Sequence, residues 1–431
     1  MKDALPTSLI EVQKLRVGMF VHLDVGWMAH PFPLSSFKIS SPDQIATIRG
    51  LGKARVRWSP DKSDPDTAGE PALVTEAANA PVAGSAIGIP LETPQAAEAR
   101  RHREALAAAR SRLTLCERQF AEATKACRQA TEAAVSRPDE ARTTAEALSR
   151  AFVDKMVGDQ EMCIRLLTEA AGDKASHHAV NVAVISLLMG RTFGLSPDEM
   201  MDVGVGALMH DIGKLELPER VRHREEHFTV AETQFYQEHV AHGVTIARKM
   251  GLQPGATLVI AQHHEHADGS GFPLKLNSDR MTTAARIVSL VNRYDNMCNP
   301  HVPSRALTPH EALSLLFAQG KNRYDTAILG AFIRMMGVYP PGSTVQLTDD
   351  RYALVMSVNS TRPLKPTVLV HDPKTPRDDA LLLNLEADSR LGIRRSLKPQ
   401  ALPPDAIAYL SPRPRVSYFF EPNVTAEDTA A

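Results

Sequence analysis

The chain has 431 residues, a formal net charge of −1 and 43% hydrophobic residues. That length implies two to four domains with a sizeable core, and the balanced charge excludes the basic footprint of a nonspecific nucleic-acid binder. The four cysteines (Cys116, Cys127, Cys163, Cys298) form no CxxC pair, which argues against a disulfide framework and a thiolate zinc site and fits a reducing, cytoplasmic compartment.

The start, MKDALPTSLIEVQ, lacks an apolar signal segment. No run of about 18 apolar residues occurs, so no membrane span is expected. Residues 8–66 read as a small α/β N-terminal domain. In it RVGMFVHL is strand-like, and KARVRW is a second strand. Between them, SPDQIATIRGLG reads as a helix, with Ser41 as N-cap, Pro42 at the first position and Gln44 three after the cap. Residues 67–92 are rich in Ala, Pro and Gly and read as a linker.

Residues 93–144 form an Ala-rich helical connector. Leu106, Ala109, Leu113, Cys116, Phe120, Ala123, Cys127, Ala130 and Ala134 step by three and four, a heptad seam. The seam suits either packing inside its own chain or a homodimer through the 99–134 helix. After a turn at SRPDE, residues 145–335 read as several helices with short breaks. Residues 338–422 alternate in strand fashion and suggest a small β-rich C-terminal extension. Residues 423–431 read as a disordered tail. The expected fold class is mainly α: an all-helical metal-binding bundle flanked by these smaller units.

Ten of the sixteen histidines fall between His177 and His266, so the chemistry is sought there. His210-Asp211 ends an apolar helix that carries Val203, Gly206 and Ala207 on the same face. A buried carboxylate is costly without a partner, and a metal would supply one. An Asp-capped helix end with a core histidine is the plainer alternative. His178 shares a face with Asn181, Val182 and Ile185; His239 shares one with Phe235, Gly243 and Ile246. A lone histidine on such a face is usually a satisfied core residue. Four segments each turning His or His-Asp inward suit Mn²⁺, Fe²⁺ or Zn²⁺ better.

His178-x-x-Asn-Val, His210-Asp211-Ile-Gly-Lys214, His239-Val-x-x-Gly243 and His263-His264-Glu265-x-x-Asp268-Gly-Ser-Gly-Phe-Pro273 occur in that order. The set resembles the HD-GYP family of bacterial cyclic di-GMP phosphodiesterases, a branch of the HD metal-dependent phosphohydrolases. The N-terminal LRVGMFVHLD block looks like the uncharacterised domain that often precedes it. The resemblance implies two divalent transition-metal ions, Fe²⁺ or Mn²⁺. One would take His178, His210 and Asp211, and the other Asp211, His239, His263 and His264. Such a pair would generate a bridging hydroxide and clamp a phosphodiester. Asp211 and Lys214 would be the catalytic residues, with Lys214 near a nonbridging oxygen. Gly269, Ser270, Gly271 and Phe272 would lie against the ligand, with Phe272 in place of the signature tyrosine. His266 lies outside the motif and reads as solvated.

The chain departs from the family at VNRYDNMC, where Asn292 replaces an acid that usually ligates the first metal and Asp295 keeps the second acid. Asp295 would be a substitute ligand if its helix shifts. Lys174 replaces the glutamate that holds a third metal in some relatives. His301 stands where an arginine is usual, and Arg305 matches another basic position facing phosphate. The resemblance therefore implies cyclic di-GMP as ligand, hydrolysed to linear pGpG and/or GMP, and signalling partners of the diguanylate cyclase type. It implies neither a nucleic-acid nor a membrane partner. The alternatives are a weak or inactive cyclic di-GMP receptor or protein-interaction module, and an HD hydrolase of another phosphoester.

Overall fold

The computed structural model describes residues 8–24, 36–64, 94–156, 161–167, 173–223, 228–320, 322–359, 362–386 and 390–422. The linker expected at 67–92 and the tail at 423–431 lie outside these. The chain divides into two compact units at Ala109/Arg110.

In the first unit β1 (Ser8–Glu11), β2 (Phe20–His22), β3 (Ser36–Lys38) and β4 (Arg55–Ser59) form an antiparallel sheet in the order β1-β4-β2-β3. Helix α1 (Pro42–Gly50) begins as its sequence predicts, with Ser41 Oγ accepting from Gln44 N at 3.4 Å and Pro42 in the first turn. Its apolar residues Ile45 and Ile48 join Val12, Leu15, Val21, Ile39 and Val56 in one core. The expected strand at residues 16–23 shortens to β2, because Gly18 turns the chain with φ +91°.

The second unit is mostly helical. It carries α2 (Pro94–Ala133) from Arg110 onward, then α3 (Pro138–Met156), β5 (Met162–Leu166), α4 (Lys174–Thr192), α5 (Pro197–Met209), α6 (Val230–Met250), α7 (Pro254–Gln262), α8 (Thr283–Cys298), α9 (Pro309–Gln319) and α10 (Thr326–Met336). Helix α4 is buried almost all round, as its apolar run Val180–Met189 requires. Capping boxes at Ser196/Glu199 and Thr229/Glu232 fix where α5 and α6 start. No helix among the described residues is long and apolar enough to cross a membrane.

The C-terminal strands are β6 (Thr344–Leu347), β7 (Tyr352–Asn359), β8 (Thr367–Val370), β9 (Leu382–Asn384), β10 (Ile393–Leu397) and, after helix α11 (Pro404–Leu410), β11 (Tyr418–Pro422). They form an antiparallel sheet that also takes in β5, between β7 and β11. The last strand thus pairs with the first strand of the unit, Tyr418 opposite Leu166. Within this pairing Arg165 is buried against Glu421, its Nε donating at 2.6 Å.

The heptad seam packs inside its own chain from Cys116 to Ala130. Cys116, Phe120, Ala123, Cys127 and Ala130 are buried. The Phe120 ring meets His177 edge-on at 5.1 Å and Phe419 at 6.3 Å. Phe120→Ala is therefore expected to cost about 3–5 kcal/mol of stability in urea unfolding, the range for emptying a buried phenylalanine site. A loss under about 1 kcal/mol would show that the site is loosely packed. The four cysteines are buried free thiols, and burial pushes Cys116, Cys127 and Cys163 up to about 12.

Candidate metal centre

Five histidines and one aspartate from four segments of the bundle converge on one point. His178 comes from α4, and His210 caps the C-terminus of α5 with Asp211 next to it. His239 lies within α6, while His263 caps α7 and His264 follows. They form two groups that share Asp211: His178, His210 and Asp211, and Asp211, His239, His263 and His264, with donor atoms within 4.8 Å of one another in each group.

Asp211 divides its two oxygens between these groups. Oδ2 lies 3.4 Å from His210 Nε2 and 4.0 Å from His178 Nε2. Oδ1 lies 3.7 Å from both His239 Nε2 and His263 Nε2. This Oδ1 is buried and accepts no hydrogen bond, and His264 Nε2 is likewise buried with no partner. Orphaned buried polar atoms are costly. His178 Nε2 faces His210 Nε2 at 3.2 Å, and His239 Nε2 faces His263 Nε2 at 3.3 Å. Ligand atoms sharing an ion with bonds of about 2.0–2.1 Å sit roughly 3 Å apart. The donor set fits divalent cations at both groups.

The rear of the imidazoles explains why the Nε2 atoms turn inward. His210 Nδ1 donates to the Ala207 carbonyl at 2.7 Å, His239 Nδ1 to Tyr236 at 2.5 Å, and His263 Nδ1 to Ile260 at 2.8 Å. In each case the acceptor is the carbonyl three residues earlier. With Nδ1 carrying the proton, Nε2 presents its lone pair to the centre. His178 differs: its Nδ1 meets Asp295 Oδ2 at 2.6 Å.

The electrostatics agree with neutral imidazoles at His239, His263 and His264 beside one carboxylate. Burial pulls His239 down to about 3, and holds His263 and His264 below the usual histidine range. Burial would raise the Asp211 carboxyl, but Lys214 and His210 outweigh it and hold Asp211 well below the usual range. Lys214 Nζ donates to Asp211 Oδ2 at 2.6 Å and sits 5.6 Å from the Tyr236 ring centroid. Burial opposes its charge, yet the Asp211 carboxylate raises its pKa above the ordinary value. The turn Ile212–Glu216 approaches α6 through Gly213, where a Cβ would sit 1.9 Å from the His239 carbonyl. Glycine at this position lets Asp211 and His239 share a centre.

The Gly-Ser-Gly-Phe-Pro loop folds back over His264. Phe272 N donates to the His264 carbonyl at 3.1 Å, and the Phe272 ring stacks on the His264 ring at 4.5 Å. A Cβ on Gly271 would lie 2.5 Å from the His264 carbonyl oxygen and the Glu265 Cα. Gly269 takes φ +75°, and Ser270 N donates to Asp268 Oδ1 at 2.9 Å. Ser270 Oγ pairs with His266 Nδ1 at 3.0 Å. His266 is half-buried against Tyr324, with burial pulling its pKa to about 4, so it is not the solvated residue the sequence suggested.

Glu265 anchors this loop, a role the sequence reading missed. Wholly buried, it accepts from Leu274 N at 2.6 Å and Leu276 N at 2.8 Å. Glu265→Ala would leave the buried Leu276 amide unpaired at about 1–3 kcal/mol and take away the partner of the part-buried Leu274 amide. The expected result is faster amide exchange across 269–276 with the helices unaffected. Unchanged exchange there would mean that Glu265 does not hold the loop.

Asn292 is buried on α8, and its Oδ1 accepts from Asn296 Nδ2 at 2.6 Å. Asp295 stands one layer behind the centre. Its two oxygens engage His178, Asn181 and Asn299. Arg305 is exposed in the turn Pro303–Arg305. His301 stacks on His223 at 4.0 Å. Tyr236, beside Lys214 and His239, was also missed. Its place three residues before His239 was the available signal.

A helical bundle that gathers inward histidines around a His-Asp pair defines an HD-type metal-binding domain. The HD domain family matches residues 161–328, and a domain of unknown function, DUF3391, matches residues 8–145. The chain thus carries an HD domain with an N-terminal DUF3391 domain, and its curated relatives include cyclic di-GMP phosphodiesterases and 3′3′-cGAMP-specific phosphodiesterases. The cyclic di-GMP phosphodiesterase PA4108 of Pseudomonas aeruginosa is 25% identical over 375 residues, 84% of each chain. The cyclic di-GMP phosphodiesterase response regulator RpfG of Xanthomonas campestris is 29% identical over 150 residues, 34% of this chain and 39% of that one. Among solved structures, Bd1817, an HDG"Y"P protein from Bdellovibrio bacteriovorus, is 14% identical. It covers 76% of this chain and 98% of its own at a TM-score of 0.41, too low to carry an argument.

Proposed function

We propose that this protein hydrolyses cyclic di-GMP to linear pGpG and/or GMP. The observation that carries the reading is the division of the Asp211 oxygens between two histidine groups, with Oδ1 buried and unpartnered. Bound there, two divalent cations would activate water and offset the charge of the phosphodiester. Asp211 would bridge the two subsites and hold them in fixed register. Lys214, kept cationic by Asp211, would meet a nonbridging phosphate oxygen. Phe272 and Tyr236 would wall the His264 side and limit water there. Hydrolysis then adds a water oxygen to phosphorus, breaks the ester bond to the ribose 3′ oxygen, and leaves a proton on that oxygen.

The test is turnover of cyclic di-GMP by purified full-length protein supplied with Mn²⁺, or with Fe²⁺ without oxygen, read by chromatography of the products. Metal-dependent appearance of pGpG or GMP is expected. Absence of both products with two ions bound would overturn the reading. One observation favours a second reading, a cyclic di-GMP receptor of low activity. Asn292 offers a neutral amide whose oxygen already accepts from Asn296.

A further inference from the structure

Behind His178 runs a chain of hydrogen bonds that ends more than a hundred residues away in sequence. Asp295 is wholly buried, and its Oδ1 accepts from Asn181 Nδ2 and Asn299 Nδ2, both at 2.9 Å. Each amide also donates to the Val416 carbonyl, Asn181 at 3.0 Å and Asn299 at 2.9 Å. Both N–H bonds of each side-chain amide are therefore used. The amide oxygens are used as well: Val416 N donates to Asn299 Oδ1 at 2.9 Å, and Tyr418 N to Asn181 Oδ1 at 3.0 Å. Flanking contacts tie down the same stretch. His177 Nε2 pairs with Ser417 Oγ at 2.5 Å, and the Tyr418 hydroxyl with the Tyr294 hydroxyl at 3.1 Å. The segment that enters β11 thus binds α4 and α8 together at the point where they present His178 and Asp295.

We infer that segment 416–418 is a positioning element of the metal centre. It fixes Asn181 and Asn299, these fix Asp295, and Asp295 sets the tautomer and direction of His178. The C-terminal strand thereby controls the affinity of the His178–His210–Asp211 subsite and leaves the other subsite to its own carbonyl-anchored histidines. A buried carboxylate saturated by two amides has one free oxygen, and it is aimed at His178 Nδ1. That arrangement makes Nε2 the lone-pair face, as metal ligation requires. The inference deepens the metal-centre reading and rests on it, but it does not depend on which phosphodiester is cleaved.

Asp295→Asn tests it with nearly the same shape. Two donors face Oδ1, so the new amide group must turn its NH₂ toward His178 Nδ1. The His178 proton then moves to Nε2 and blocks ligation. At a Mn²⁺ concentration that fills both subsites of the unmutated chain, elemental analysis should find one ion in this variant. Competition with a chelator should show affinity at the impaired subsite reduced about 10–100-fold, the usual loss when an outer partner of a metal ligand is removed. Asn299→Ala should weaken the same ion about tenfold. A merely structural latch would lower the melting temperature of the metal-free variants and leave stoichiometry and affinity at the unmutated values, which would overturn the inference. Amide exchange in the unmutated chain gives an answer even if both variants misfold. Mn²⁺ should slow exchange at Val416 and Tyr418 several-fold, because linkage is reciprocal; unchanged exchange there would also overturn it. Two bound ions with no cyclic di-GMP turnover would sink the substrate reading and leave this inference intact.

Discussion

Alanine at both His210 and Asp211 is expected to strip the protein of metal and abolish hydrolysis. Asp211 is the only carboxylate in either donor group and belongs to both. Its removal leaves Lys214 with a half-buried ammonium that has lost its 2.6 Å carboxylate partner. It also leaves two histidine groups with no negative charge to offset two divalent ions. Each subsite should fall out of the range in which ions survive purification, and turnover should drop by more than a thousandfold, the scale of losing a metal-supplied nucleophile. Elemental analysis and a turnover assay on the double variant check this. A full metal complement in that variant would mean that the pair is core packing and the centre lies elsewhere.

Asn292→Asp is expected to act in the opposite direction. The native amide brings no charge to the first subsite, and its oxygen already accepts from Asn296 Nδ2. A carboxylate there could keep the Asn296 hydrogen bond on one oxygen and turn the other to the ion. Affinity at the first subsite should rise about tenfold or more, since even outer-layer partners are worth about 10–100-fold. Metal stoichiometry should move toward two, and turnover at limiting metal should increase. The unmutated protein should accordingly need excess metal for full activity. If the substitution changes neither stoichiometry nor rate, the amide is an adequate neighbour and the first subsite is complete without a second acid.

What could be read from sequence was the set of inward histidines, because each sits on an apolar face or at a helix end with a local reason to be there. His210, His239 and His263 all donate to the carbonyl three residues earlier, so spacing within one helix already carries their orientation. The short helix at Ser41-Pro42 was legible for the same reason, since caps act over three or four residues. The support behind His178 was not. It is built from Asp295, Asn299 and the main chain at Val416, joined only in three dimensions. Asn181 was the one local hint, a wholly buried amide within the mostly apolar run Val180–Met189. Glu265 was quoted within the loop motif, but its bonds to Leu274 and Leu276 depend on a loop shape that spacing does not give. The heptad seam was ambiguous because periodicity marks an apolar face without saying what covers it. From Cys116 to Ala130 its own chain covers it.

The central claim is a pair of subsites sharing Asp211 that act on a phosphodiester only together. Stepwise addition of Mn²⁺ to metal-free, full-length protein, with bound metal and cyclic di-GMP hydrolysis followed in the same samples, tests it most directly. The account predicts little hydrolysis through the first equivalent, which fills the His239–His263–His264 side, and a rate that rises as the second, weaker equivalent binds. Full hydrolysis at one equivalent or in metal-free protein would contradict it, as would two bound equivalents with no hydrolysis at all.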